Sequence, residues 1–379
     1  MPGTPTIELG ADLYILALFT FFSCFLILRL FLSSFSSFVI ASLKTLIPFL
    51  YFGFFFSGEW LLLDDVSYWQ SGISLLKAHL NPLTIFGKQG LALLFWESGG
   101  FHIFYPLYNF LAQYFFGPHY FAPVFWNVIA SVIAGYFLFQ LMRELGFEKS
   151  RSKFVSILFM FDAQVLVWSS FLNLKDVCVM TLTVASLHFL LRLMKQFSWK
   201  DAFSMAVLLA LWVSLRFYIP ILLIGAAITY SMMSLQLRHL VLIIIAGIAM
   251  GFYMARHSGI FAVLEPAEFG IGVVHYLVGP IPWQVEENYS FLTLPSWIHW
   301  ILFPLAVLGF VKYWKTHPRS RLVLIYFALV VLAFAITPEV RGARHRLQLM
   351  PIFAWLQYSF IWDLLPRKAV TESAAQPSA

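Results

Sequence analysis

Asp64 and Asp65 stand side by side directly after the apolar run Leu61–Leu63, in the stretch LLLDDVSYW. Adjacent carboxylates repel, and repulsion raises the pKa of one of them toward the range where it can take up a proton. The pattern points to a general base with a neighbour that positions a substrate or a metal ion. The plainer explanation is a solvated helix start, because acids favour the positive end of the helix dipole.

Cations form the second group. The stretch TPEVRGARHRL, Thr337–Leu347, holds Arg341, Arg344, His345 and Arg346. Clustered guanidinium groups suit a phosphate, since the planar fork bonds two oxygens at once. The tight turn Asn173-Leu174-Lys175-Asp176 offers an ammonium and a carboxylate, which either cap the next helix or bind a phosphate together. Arg216, in SLRFYIP, sits near the end of an apolar segment, where a charge is costly and marks a functional candidate. His102, in FHIFYP, lies close to the Asp pair in sequence. Asp162, in FMFDAQV, is placed well inside an apolar segment, neutral or hydrogen-bonded to a neighbouring helix. The ten histidines make no HExxH pattern, so a zinc site has little support.

These groups need a scaffold, and composition defines it. The chain is 61% hydrophobic with 42 Phe and 13 Trp, and its mean hydropathy is +0.82. Apolar runs of about 17–25 residues, enough for a helix to cross a ~30 Å hydrocarbon core, recur along it. The expectation is an all-α polytopic transmembrane helical bundle with about 11 spans. They are placed near 12–32, 36–57, 121–142, 154–171, 177–193, 202–218, 220–236, 240–255, 297–313, 322–337 and 348–365. Residues 101–117 are apolar but interrupted by Pro106 and Pro118, which suits a short or re-entrant helix. Val66–Leu80 reads as an amphipathic juxtamembrane helix with Trp69, Ile73, Leu76 and Leu80 on one face, stopped by Asn81-Pro82.

Most of the 24 Lys and Arg residues, among them Arg29, Lys44, Arg143, Lys149, Arg151, Lys195 and Lys315, fall in one set of connections, which is therefore read as cytoplasmic. The opposite face holds most acids, and with them Asp64, Asp176 and Arg344. The net charge of +6 follows membrane topology rather than nucleic-acid binding. The N-terminus carries no Lys or Arg in residues 1–11 and does not read as a cleaved leader. Cys24 and Cys178 form no disulfide framework. Four regions follow: a two-span hairpin (1–57), an external loop with juxtamembrane helices (58–120), a transmembrane core (121–366) and a disordered tail (367–379).

Several motifs together resemble the GT-C glycosyltransferases, the polytopic enzymes that use polyprenyl-phosphate sugars, such as protein mannosyltransferases and aminoarabinose transferases. DDVSY (Asp64, Asp65, Tyr68) resembles their DExxY motif in the first external loop. FYPLYNFLAQYFFG (Phe104–Gly117), WSSFLNLKD (Trp168–Asp176) and RHRLQLMPIFA (Arg344–Ala354) resemble three later segments, in matching order and on the matching face. The second acid is Asp rather than Glu, and an extra span precedes the usual first one. The resemblance implies an inverting transfer to an acceptor hydroxyl on the periplasmic or lumenal face, with Asp64 as base. A lipid, glycan or protein serves as acceptor. Tyr68, Lys88, His102, Lys175, Asp176, Arg216, Arg341, Arg344, His345 and Arg346 are then the substrate- and phosphate-binding candidates. A divalent ion (Mg or Mn) is the one cofactor the resemblance allows, with Asp64 and Asp65 as ligands. A bacterial inner membrane is the implied location. The competing classes are a polysaccharide polymerase or ligase, and a lipid flippase or secondary transporter, whose mark is ionisable groups at broken helices near the midplane.

Overall fold

The computed structural model describes residues 10–100, 102–233, 268–337 and 341–365. The described residues form helices and no strand, as the continuous apolar runs require. Helix α1 (Ala11–Arg29) turns at Ser33, whose hydroxyl caps the next helix by accepting from Ser36 N at 3.3 Å. That helix, α2 (Ser34–Leu50), runs back along α1 and continues into a π-turn at Tyr51–Phe55. Farther on, α6 (Phe121–Glu144) and α9 (Asp176–Lys195) pack along each other at the centre of the molecule. Helix α13 (Thr293–Thr316) lies at the periphery. Leu18, Phe22 and Leu26 of α1 and Leu294 and Ile301 of α13 are exposed. Such apolar flanks are what a hydrocarbon solvent favours.

Five helices among the described residues are long and apolar enough to cross a membrane, and one bent pair would make a sixth. Three other expected spans are helical but shorter, α11 (Ile219–Met233), α14 (Ser320–Ala335) and α15 (Met350–Leu364), and a further short apolar helix, α12 (Phe269–Val278), falls where no span is expected. At 1.5 Å per residue, 15 residues reach about 22 Å, less than the hydrocarbon thickness. The segment 240–255 and the tail 367–379 lie outside the described residues.

The bent pair corrects two expectations. The apolar run 154–171 predicts one unbroken span, with Asp162 inside it. Instead α7 (Lys149–Met160) and α8 (Ala163–Ser170) meet at 52°. Asp162 is the N-cap of α8, accepting from Gln164 N at 3.0 Å and from Tyr358 Oη at 3.0 Å. The sorting of basic residues puts Lys44 in a cytoplasmic connection. It is fully buried within α2, and its Nζ donates to Met160 O at the break, 3.1 Å away. A broken helix leaves backbone carbonyls without intrahelical donors, and a buried ammonium supplies one.

The first long connection carries three short helices: α3 (Leu63–Lys77), α4 (Lys88–Glu97) and α5 (Phe104–Phe116). Helix α3 starts three residues earlier than its apolar pattern predicts, and Val66, Gly72 and Leu75 are its most buried apolar face; of the expected face Trp69, Ile73 and Leu76 are half-buried and Leu80, just past the helix, is buried. The reason is α5. A Cβ on Gly72 would stand 2.6 Å from Gln113 Oε1, so glycine lets the two helices close together. Gln113 Nε2 then donates to Trp69 O at 3.1 Å. Pro106 falls in the first turn of α5, where its missing N–H costs nothing, and Gly117 ends the helix at φ +86°.

Charges collect at two ends. At one, Asp363 pairs with Arg151 (2.9 Å) and Lys312 (2.7 Å), and Glu144 lies 3.8 Å from Lys195. At the other end of α9, Asp176 meets Arg344, which also meets Asp64. Cysteines introduced at Leu63 and at Lys200, both exposed, should react with a membrane-impermeant thiol reagent from opposite faces of sealed vesicles. The native Cys24 and Cys178 are buried and give little background. Labelling of both from one face would sink the two-ended arrangement.

Candidate active site

Asp176 is the centre of a charged group drawn from four segments. It opens α9 and is 2% exposed. Its Oδ2 accepts from Arg344 Nε at 2.7 Å, and its Oδ1 accepts from Arg216 Nη2. Arg216 ends α10 (Trp199–Arg216), and Arg344 belongs to the short turn of helix Ala343–Arg346. Arg216 also donates from Nη1 to His345 Nδ1, 2.6 Å away. Burial, then Arg216, holds the His345 imidazole far below its usual pKa, so it is neutral and Nδ1 accepts. The second arm of Arg344, Nη1, reaches Asp64 Oδ2 at 2.5 Å. Asp64 is 53% exposed and Arg344 20%.

Lys175 precedes Asp176 and is buried beneath Tyr68, with Nζ 5.6 Å from the ring centre. Burial pulls its pKa down to about 7, and Arg216 adds to the shift by repulsion. It is thus poised between charged and neutral forms at physiological pH.

The two acids of the pair have separate surroundings. Asp65 is fully buried. One carboxylate oxygen accepts from Leu62 N at 3.0 Å, closing the first turn of α3, and the other accepts from Tyr120 Oη at 2.7 Å. Its pKa is raised to about 7, as the sequence suggested for one member, but the cause is burial and not its neighbour. Behind it lies a polar network that the sequence reading passed over. Asn173 Nδ2 donates to Asp65 O (3.3 Å) and to Asn109 Oδ1 (2.6 Å), while Asn173 Oδ1 accepts from Tyr105 Oη (2.8 Å). Asn127 holds the carbonyls of Leu172 and Leu174, both at 3.3 Å. These bonds lock the 172–176 turn against α3 and α5, and so fix Lys175 and Asp176 relative to Asp64. Three amides within apolar stretches were the available signal, because a buried amide must be satisfied.

Asp64 also faces a cavity of about 250 Å³ lined by Ser67, Tyr68, Ser71, Glu97 and His102. Burial, then Lys175, lowers the His102 pKa to about 4, and its buried Nδ1 has no hydrogen-bond partner among the described residues. Hydroxyl, carboxylate and imidazole groups around such a volume suit a hydroxyl-bearing ligand. Glu97 was not singled out by the sequence reading.

Other candidates lie elsewhere. Arg341 donates to Ala335 O (2.9 Å) and pairs with Glu268 (2.7 Å). Arg346 is fully buried and donates to the carbonyls of Tyr276, Leu277 and Gly279, capping the C-terminal end of α12. So the basic loop contributes Arg344 and His345, not Arg341 and Arg346. Lys88 is exposed at the start of α4, and no hydrogen bond or ion pair joins it to Asp64 or Arg344. Asp64 and Asp65 do not offer a shared metal site: one carboxylate is held by Arg344, the other by Tyr120 and Leu62 N. Nor does any group of three or more His, Cys, Asp or Glu converge among the described residues.

Comparison with protein-family models, with curated proteins and with solved structures found no match.

The raised pKa of Asp65 has a measurable consequence. A free aspartate titrates near ~3.9, so between there and about 7 the folded protein holds more protons than the unfolded one. Its contribution to stability is then fully present below ~3.9 and is lost as pH rises through about 7. Asp65→Asn, which can still bond Tyr120, should lose less thermal stability than wild type between pH 5 and pH 8. Identical pH profiles in detergent melting curves would refute this.

Proposed function

We propose that this chain is a multi-pass membrane glycosyltransferase of about 11 spans. In this reading it moves a sugar from a polyprenyl-phosphate carrier to an acceptor hydroxyl, at the periplasmic or lumenal face. The observation that carries the reading is the position of Asp64, which bonds the cation Arg344 and also borders the cavity of Ser67, Tyr68, Glu97 and His102, with Lys175 under Tyr68. A transfer with inversion needs a base at the acceptor and cations near the leaving group. The acceptor O–H gives its proton to Asp64 as its oxygen bonds the anomeric carbon. The bond from that carbon to the phosphate oxygen breaks, and its electron pair leaves with the phosphate. Fixed cations stabilise the charge that develops there. Asp65, buried and bonded to Tyr120, supports the helix that carries the base. The resemblance of the four motifs points to the same chemistry.

A flippase or secondary transporter is the second reading, favoured by the α7–α8 break with Asp162 and Lys44 at its core. Both groups, however, are bonded to the protein's own backbone and satisfy the break. Lipid scrambling in reconstituted vesicles that stops with Asp162→Asn and persists with Asp64→Asn would support this reading.

Two outcomes test the enzyme. Transfer from radiolabelled polyprenyl-phosphate sugars to membrane acceptors should fall by about 10²–10⁴ in Asp64→Asn, the usual loss for a general base. A folded, fully active variant removes the mechanism. Donor affinity should also fall as pH rises above about 7, because Lys175 loses its charge. Arg is always protonated, so Lys175→Arg should flatten that fall. If the slope survives, some other group is titrating.

A further inference from the structure

We infer that Arg344 couples donor binding to release of the base: a lipid-linked phosphate displaces the Asp64 carboxylate from its guanidinium, so the donor must bind before the acceptor can react. This rests on the donor class proposed above.

The two arms of Arg344 are unequal. Nε is held by Asp176, which is 2% exposed and also engaged by Arg216, so that end is fixed. Nη1 holds Asp64, which is 53% exposed and lies on the first turn of α3. A carboxylate bonded to guanidinium is a poor base, because its charge is already satisfied. With Arg344 on it, Asp64 is held toward the cations while also bordering the cavity of Ser67, Glu97 and His102. A phosphate brings oxygens that compete for Nη1, and Lys175 stands on the same side, under Tyr68. Once the phosphate takes Nη1, Asp64 is left with the cavity and whatever hydroxyl it holds. An empty donor site therefore keeps the base quenched. Arg344 acts through Asp64 as a positioning residue for the base, in addition to meeting the leaving group.

The test is the affinity of the full-length protein, in detergent micelles, for a polyprenyl monophosphate. Half-exposed ion pairs are worth about 0.2–1 kcal/mol, so freeing Arg344 from its competitor should tighten binding. Asp64→Asn should bind the lipid phosphate about 1.5- to 5-fold more tightly than wild type, the opposite direction to its expected loss of transfer. Simple removal of a negative charge would do some of this at a distance. A double-mutant cycle separates the two. With Arg344→Ala, the added Asp64→Asn should produce little or no tightening; Arg344→Gln serves if the alanine variant does not fold. An equal gain with and without Arg344 means that only through-space repulsion operates, and overturns the coupling. Weaker binding by Asp64→Asn in the wild-type background overturns it too. If wild type binds no polyprenyl phosphate, the donor class itself falls, and the coupling with it. Wild-type binding without the cycle's non-additivity leaves the donor class standing and sinks the coupling alone.

Discussion

A carboxylate at 2% exposure has to be neutralised, and the polar end of this molecule is arranged around that need at Asp176. The start of α9 supplies part of the compensation, through its free N–H groups and dipole. Arg216 and Arg344 supply the rest. Two guanidinium groups side by side repel, so each depends on the acid between them. Removing one member of a buried pair typically costs about 3–5 kcal/mol, since the other stays charged and unpaired. That dependence ties the 172–176 turn, the end of α10 and the Ala343–Arg346 helix into one unit. These segments are far apart in the chain, and the shared acid holds their charged groups in register.

The uncharged network behind the group does a different task. Asp65, Tyr120, Asn173, Asn109 and Tyr105 join α3 and α5 to the turn through neutral or partly neutral hydrogen bonds. Such bonds contribute modestly in net terms, but leaving one unmade in an apolar setting is expensive. The network therefore specifies one arrangement. Asp64 sits at the edge of this rigid assembly, half in solvent, as a group that must meet a substrate would.

Much of this could be read before any coordinates. The long apolar runs located most of the helices among the described residues, and the sorting of basic residues anticipated the two charged ends. Asp64, Lys175, Asp176, Arg216 and Arg344, chosen as charges out of place in an apolar chain, do come together. What could not be read was pairing. Arg341, Arg344 and Arg346 are alike by sequence, yet one meets Glu268, one meets Asp64 and Asp176, and one caps α12. Each outcome depends on a partner more than 60 residues away. Lys44 failed for a related reason: a lone Lys in an apolar run reads as a boundary, whereas here it answers a helix break that the sequence does not announce. The buried amides were legible in principle, but neutral side chains draw less notice than charges.

The adjacent acids finally differ because of helix geometry. Successive residues on an α-helix point about 100° apart, so two neighbours on α3 leave the helix in different directions. Packing against α5 and Tyr120 takes Asp65 inward, and Asp64 is left outward, beside Arg344. The doublet is thus not a catalytic dyad sharing a proton. One acid is built into the packing of α3, and the other lies at the edge of the charged group. The cost of burial falls on Asp65, whose bonds to Leu62 N and Tyr120 answer it, while Asp64 stays half exposed and meets Arg344.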